Sequence, residues 1–177
     1  MSSSRSNKPK RSCMDAALSK LNYSMRTEYE LKKSLLELDY DPEEVETVIE
    51  ELKDYRYLDD ERYAIEFYKK CRRKNWSLQR IIQSLGEKGI ARGEASAMLD
   101  RFFESDEFQD TGLEEDERTV ALSVGRDLAE KQLRAGKEIN DSFLGKVARR
   151  LGSLGYDTGT CWYVIGKIRD LRKEDEE

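Results

Sequence analysis

The run Tyr57-Leu58-Asp59-Asp60-Glu61-Arg62-Tyr63-Ala64 opens a stretch that continues through Asn75-Trp76-Ser77-Leu78 and Gly86-Glu87-Lys88-Gly89-Ile90 to Phe103. It reads as three short helices. Asp59 or Asp60 can accept backbone N–H groups as an N-cap, and the negative charge suits the positive end of a helix. Ala64, Phe67, Tyr68 and Cys71 then recur at i, i+3, i+4 and i+7, one apolar stripe. Ser77 caps a second helix whose inner face is Leu78, Ile81, Ile82 and Leu85, with Trp76 placed to fold onto Ile81 as a hydrophobic staple. Gly89 supplies a left-handed helix exit, and Ala95, Met98, Leu99 and Phe102 form a third stripe. Helices this short bury their stripes only against one another.

The same unit recurs on both sides. Fifty residues earlier, Leu31, Leu35, Tyr40, Val45, Val48, Ile49 and Leu52 occupy the places of Ile81, Leu85, Ile90, Ala95, Met98, Leu99 and Phe102. Sixty-six residues later the places are held by Val147, Leu151, Tyr156, Cys161, Val164, Ile165 and Ile168. Gly89 meets Gly155 in one register and Asp39 in the other, a residue type that tolerates the left-handed conformation. The expectation is an all-α fold of three tandem three-helix repeats in an elongated, curved right-handed or solenoid-like array. The boundaries read as a disordered basic arm at 1–13, repeats at 14–55, 56–103 and 117–172, an acidic linker at 104–116 and an acidic tail at 173–177. Thr27-Glu28-Tyr29-Glu30 is a capping box, and Asp41-Pro42 is the sharpest helix start in the chain.

Composition excludes several classes. At 37% hydrophobic and 39% charged, with two prolines, the 177 residues describe a surface-rich helical protein. No apolar run approaches membrane-spanning length and Met1 to Ser12 lacks a secretion signal's apolar core, so a cytoplasmic protein with no membrane partner is expected. Cys13, Cys71 and Cys161 are far apart, which argues against disulfides and zinc. There is no histidine, no Walker-type loop and no nucleophile elbow, so neither an enzyme nor a cofactor or small-molecule site is expected. Asp59 and Asp60 resemble a catalytic acid pair but read better as helix caps. Trp162 and Tyr163 are adjacent on a helix, so at most one faces the core.

Charge is segregated within the net −5. Residues 13–60 carry six basic and fourteen acidic side chains, whereas 61–103 carry ten and five; 104–118 hold eight acids and one Arg, and 119–173 return to eleven and six. The second and third repeats are thus each net +5 inside an acidic average. The candidate contacts are Lys69, Lys70, Arg72, Arg73, Lys74, Arg80, Arg149 and Arg150, with Trp76 beside them. Cations at a helix end are favoured by the dipole without any ligand, but five basics in six residues exceed what capping requires. Trp76 has two readings, a staple over Ile81 or a platform for a base.

Tyr57 to Ala64, Arg73-Lys74-Asn75-Trp76-Ser77-Leu78-Gln79-Arg80-Ile81 and Leu85-Gly86-Glu87-Lys88-Gly89-Ile90 together resemble the central repeat of the RecX regulatory proteins. Ser24 to Tyr40 is similar to that family's first repeat and Arg149 to Tyr156 to its third, so the resemblance covers about residues 14 to 171; at Asn75 the chain departs from the usual glycine. The resemblance implies three tandem three-helix repeats and a non-enzymatic modulator of the RecA recombinase, which lodges in the groove of the RecA filament and damps its growth, ATPase and strand exchange. It implies the RecA filament as partner, with single-stranded DNA met indirectly or weakly, and the chain is expected to be a monomer. The rival from another class is a direct nucleic-acid-binding helical module with no RecA partner.

Overall fold

The computed structural model describes residues 11–174, which hold ten helices and no strand. These are α1 (Cys13–Tyr23), α2 (Glu28–Leu36), α3 (Pro42–Asp54), α4 (Asp60–Arg72), α5 (Leu78–Glu87), α6 (Arg92–Phe103), α7 (Asp106–Gln109), α8 (Glu117–Arg134), α9 (Asp141–Leu154) and α10 (Thr158–Glu174). Most of the expected arm and the end of the acidic tail lie outside the described residues. Cys13 does not belong to an arm: it is the first residue of α1 and fully buried, and Tyr40 Oη donates to Arg11 O at 2.7 Å just before it. No helix among the described residues is long and apolar enough to cross a membrane.

The starts follow the capping chemistry. Thr27 and Glu30 close a capping box on α2, Asp41 accepts from Glu43 N at 2.9 Å with Pro42 at the first turn of α3, and Asn140 and Asp157 cap α9 and α10. The exits share one device, in which a residue past the helix turns left-handed so that its own N–H and the next one reach back to helix carbonyls. Asp39 (φ 59°), Arg56 (φ 57°), Asn75 (φ 61°) and Gly155 (φ 92°) all do this. Asn75 therefore performs the turn that glycine usually performs.

Two compact units result, 1–63 with 88–90 and 64–87 with 91–177. In the first, α1, α2 and α3 pack on one another around Leu31, Leu35, Val45, Ile49 and Leu52. In the second, α8, α9 and α10 pack around Val147, Leu151, Val164, Ile165 and Ile168. Four of the seven equivalent positions found by the two offsets are core in every copy, among them Leu31, Ile81 and Val147 and Leu35, Leu85 and Leu151, each 0% exposed, whereas Tyr40, Met98 and Cys161 are half-buried at the other three. The 88–90 turn belongs to the first unit because buried Thr27 Oγ1 donates to Lys88 O at 2.6 Å, Lys88 Nζ meets Glu30 at 2.8 Å, and Tyr29 Cβ lies where a Cβ on Gly89 would stand.

The segment expected to be a solvated linker, 104–116, contains α7. Its one aromatic residue, Phe108, joins a cluster of rings with Tyr68, Phe102 and Phe103 at centroid distances of 6.4, 5.4 and 5.1 Å.

Candidate interface

The basic run at the end of α4 divides into buried and exposed halves. Arg72 is 6% exposed; its Nη2 donates to Glu115 O at 2.6 Å and its Nη1 is buried without a hydrogen-bond partner. It lies among Tyr68, Tyr156 and Glu117, and burial, against the pull of this guanidinium, pushes both phenols up. Arg72 is thus part of the core, a correction to its expected contact role. Lys69 is also engaged: its Nζ bridges Glu66 at 3.0 Å and Glu107 at 2.7 Å and lies 5.4 Å from the Phe102 ring centre. The Glu107 hydrogen bond, with that to Glu66, raises its pKa above 10.5 despite some burial. Lys70, Arg73 and Lys74 remain exposed.

Trp76 and Arg80 hold a seam within the second unit. Trp76 packs against the α8–α10 core, edge-on to Phe67 at 6.4 Å, and the Arg80 guanidinium lies over its indole at 3.7 Å. Trp76 therefore cannot offer that face to a base. Ser77 caps α5 by accepting from Arg80 N at 3.2 Å and donates its hydroxyl to Gly155 O at 2.7 Å, while its own N–H reaches Leu154 O at 2.9 Å. Tyr156 Oη donates to Asn75 O at 3.0 Å, Arg80 Nη1 donates to Ser153 O, and Glu117 accepts from Leu78 N. A Cβ on Gly155 would come within 2.4 Å of Arg80 Cβ, so glycine is required there by space as well as by its positive φ. The acid pair is structural: Asp59 accepts from Arg62 N at 2.9 Å as the cap of α4, and Asp60 accepts from Glu28 N at 2.9 Å at the start of α2.

Arg149 and Arg150 are exposed on α9, and neither bonds to the seam. The buried face of α9 is Phe143, Leu144, Val147, Leu151 and Leu154. At 100° per residue, Lys146, Arg149, Arg150 and Ser153 share one arc that flanks it. Lys146 was missed by sequence reading, although its i−3 and i−4 spacing from the arginine pair would have placed it on their face. Ser153, whose carbonyl Arg80 holds, joins this strip to an open polar groove of about 450 Å³ between α5 and α9, lined in part by Gln79, Gln83 and Ser153. Cations beside amide donors suit a carboxylate- or phosphate-bearing surface. Neither Trp162 (64% exposed) nor Tyr163 (38% exposed) lies in the core.

Residues 13–52 match the model of the first three-helix domain of RecX. The chain is 30% identical over 159 residues to the regulatory protein RecX of Clostridium perfringens (strain 13 / Type A), covering 88% of this chain and 68% of the relative. It is 28% identical over 160 residues to that of Corynebacterium efficiens, covering 90% and 72%. Among solved structures, it is similar in fold to the crystal structure of RecX from Lactobacillus salivarius, with a TM-score of 0.67 and 20% identity over 89% of this chain and 94% of that one. A second RecX crystal structure superposes with a TM-score of 0.63 and 23% identity, covering 89% and 70%. With this level of identity sustained over most of both sequences, the chain belongs to the RecX family of regulatory proteins.

Proposed function

We propose that this protein restrains a RecA-type recombinase. It docks on the nucleoprotein filament that RecA builds on single-stranded DNA, limits extension, and lowers ATPase and strand-exchange activity, thereby modulating recombination and repair. It acts as a cytoplasmic monomer, without cofactor or chemistry of its own. Family membership carries this reading, and the exposed cations support it. Lys70 on α4 with Arg73 and Lys74 in the turn after it, and Lys146, Arg149 and Arg150 on α9, are exposed in a chain whose net charge is −5. Such local patches favour an acidic protein–DNA surface, while the acidic segments oppose the coating of bare DNA.

The test is RecA ATPase on single-stranded DNA with the protein titrated in below one copy per recombinase. The wild type is expected to inhibit. Arg73→Glu with Lys74→Glu, or Arg149→Glu with Arg150→Glu, is expected to shift the inhibition curve at least about tenfold with unchanged helicity, since charge reversal turns attraction into repulsion. An ATPase untouched by the wild type overturns the proposal. The rival, a direct nucleic-acid binder, would instead lose bare-DNA affinity steeply with salt and act only at concentrations that coat the DNA.

A further inference from the structure

The first unit carries the acidic repeat, yet it gathers three arginines at one cleft. Elsewhere in this unit, Lys53 meets Glu28 at 3.1 Å and Glu50 at 3.2 Å, Lys88 meets Glu30 at 2.8 Å, and Lys32 is held by Glu46. Arg26, Arg56 and Arg62 make no ion pair among the described residues, and all three line a cleft of about 160 Å³ with Met25, Tyr57 and Asp59. The one carboxylate, Asp59, is occupied in capping α4.

Two features of the cleft are unfavourable to the folded chain by itself. Arg26 Nε is buried with no hydrogen-bond partner, a charged donor left unsatisfied. Arg56 takes the left-handed position past α3, φ 57°, with its own N–H bonded to Lys53 O at 2.9 Å and that of Tyr57 to Leu52 O at 2.9 Å. Glycine fills that position without steric cost, and an arginine does not. Both costs fall on arginines that line the same space, and three unneutralised guanidinium groups at one cleft suit an anion. A cleft of about 160 Å³ has room for a phosphate group. Tyr57, which lines the cleft, is 66% exposed, and Tyr55, two residues before it in the chain, is 73% exposed.

We propose that this cleft seats a backbone phosphate of single-stranded nucleic acid, with the exposed ring of Tyr57 offering a face to an adjoining base. Guanidinium groups hold a phosphate through paired N–H donors, and exposed aromatic rings take unstacked bases without regard to sequence. A carboxylate-bearing protein surface would use the arginines but gain nothing from the exposed ring of Tyr57, and a duplex hides the base faces. The site lies in the first unit and does not rest on the α9 strip or on a recombinase.

The test is fluorescence anisotropy of a labelled dT oligomer of about 16 nucleotides with the full chain, over roughly 50 to 200 mM salt and with no recombinase present. Arg56→Gly removes one cation while relieving the left-handed turn, so it should melt no lower than wild type, bind several-fold more weakly and flatten the salt slope by about 0.7. Tyr57→Ala should weaken binding roughly tenfold at unchanged helicity. Lys131→Gln, at an exposed cation on α8, should change neither result. The proposal is overturned if wild-type protein leaves the oligomer free, if affinity follows α9 and ignores Arg56 and Tyr57, or if polyglutamate displaces the oligomer as well as unlabelled dT does.

Discussion

Asp60 shows how one side chain can be both anchor and liability. Burial, opposed by the hydrogen bond from Glu28 N, raises its pKa above the usual 3.8. The folded state therefore binds its proton more tightly than the unfolded chain does, and stability falls as pH rises through the window just above 3.8. Asp60→Asn keeps an oxygen acceptor for Glu28 N and has no charge to bury. It is expected to melt higher than wild type at neutral pH and to lose that advantage below pH 3.8, as read by thermal melts across the acid range. A variant that melts lower throughout would show that the carboxylate's attraction to the α2 N-terminus outweighs its burial. At this scale the sequence was a partial guide. Asp59 and Asp60 are legible as caps, but which helix each would serve depends on a neighbour 32 residues away. Arg72 read as a solvated cation because helix-end basics usually are; only the approach of Tyr68, Tyr156 and the Glu115 carbonyl encloses it.

Helices and their exits were the most legible level. Spacing alone located the three stripes, since burial of an apolar face leaves a period of 3.6 whatever the partner. Phe108 was lost because a single apolar residue among acids has no period, and its place is set by rings contributed from α4 and α6. The exits yield a paired test. Gly155→Ala puts a methyl group against Arg80 Cβ and the Ser77 hydroxyl at a positive φ, and is expected to cost roughly 2–5 kcal/mol in denaturant melts. Gly152→Ala, three residues earlier inside α9 and facing open space, is expected to gain about 0.5–1 kcal/mol from helix propensity. Equal effects from the two would mean that the seam at Ser77 is not a stabilising contact.

For the whole molecule, the averaged charge conceals what its surfaces attract. A net −5 coexists with exposed cations on α4 and α9 and with three unneutralised arginines at the first unit's cleft. Recognition by such a protein is set patch by patch, so salt should act differently on each of its partners. The repeat plan was visible because core positions recur at fixed offsets. The surfaces were not, because exposed residues are free to differ between copies.

The two cap hydroxyls have a bearing on the order of synthesis. Thr27 finds its acceptor 61 residues downstream and Ser77 finds its own 78 residues downstream, so each hydroxyl must wait on the ribosome for chain not yet made. A nascent polypeptide halted after Glu87 carries the whole first trio but lacks the Lys88 carbonyl, so the Thr27 hydroxyl, buried in the full chain, still accepts from Glu30 N but has no acceptor for its own proton, at about 1–3 kcal/mol. Purified fragments ending at Glu87 and at Phe103 should therefore differ in the first trio's amide-exchange protection, the longer being the slower to exchange. The first two trios thus each gain a cap hydrogen bond only once chain from the next repeat has left the exit tunnel.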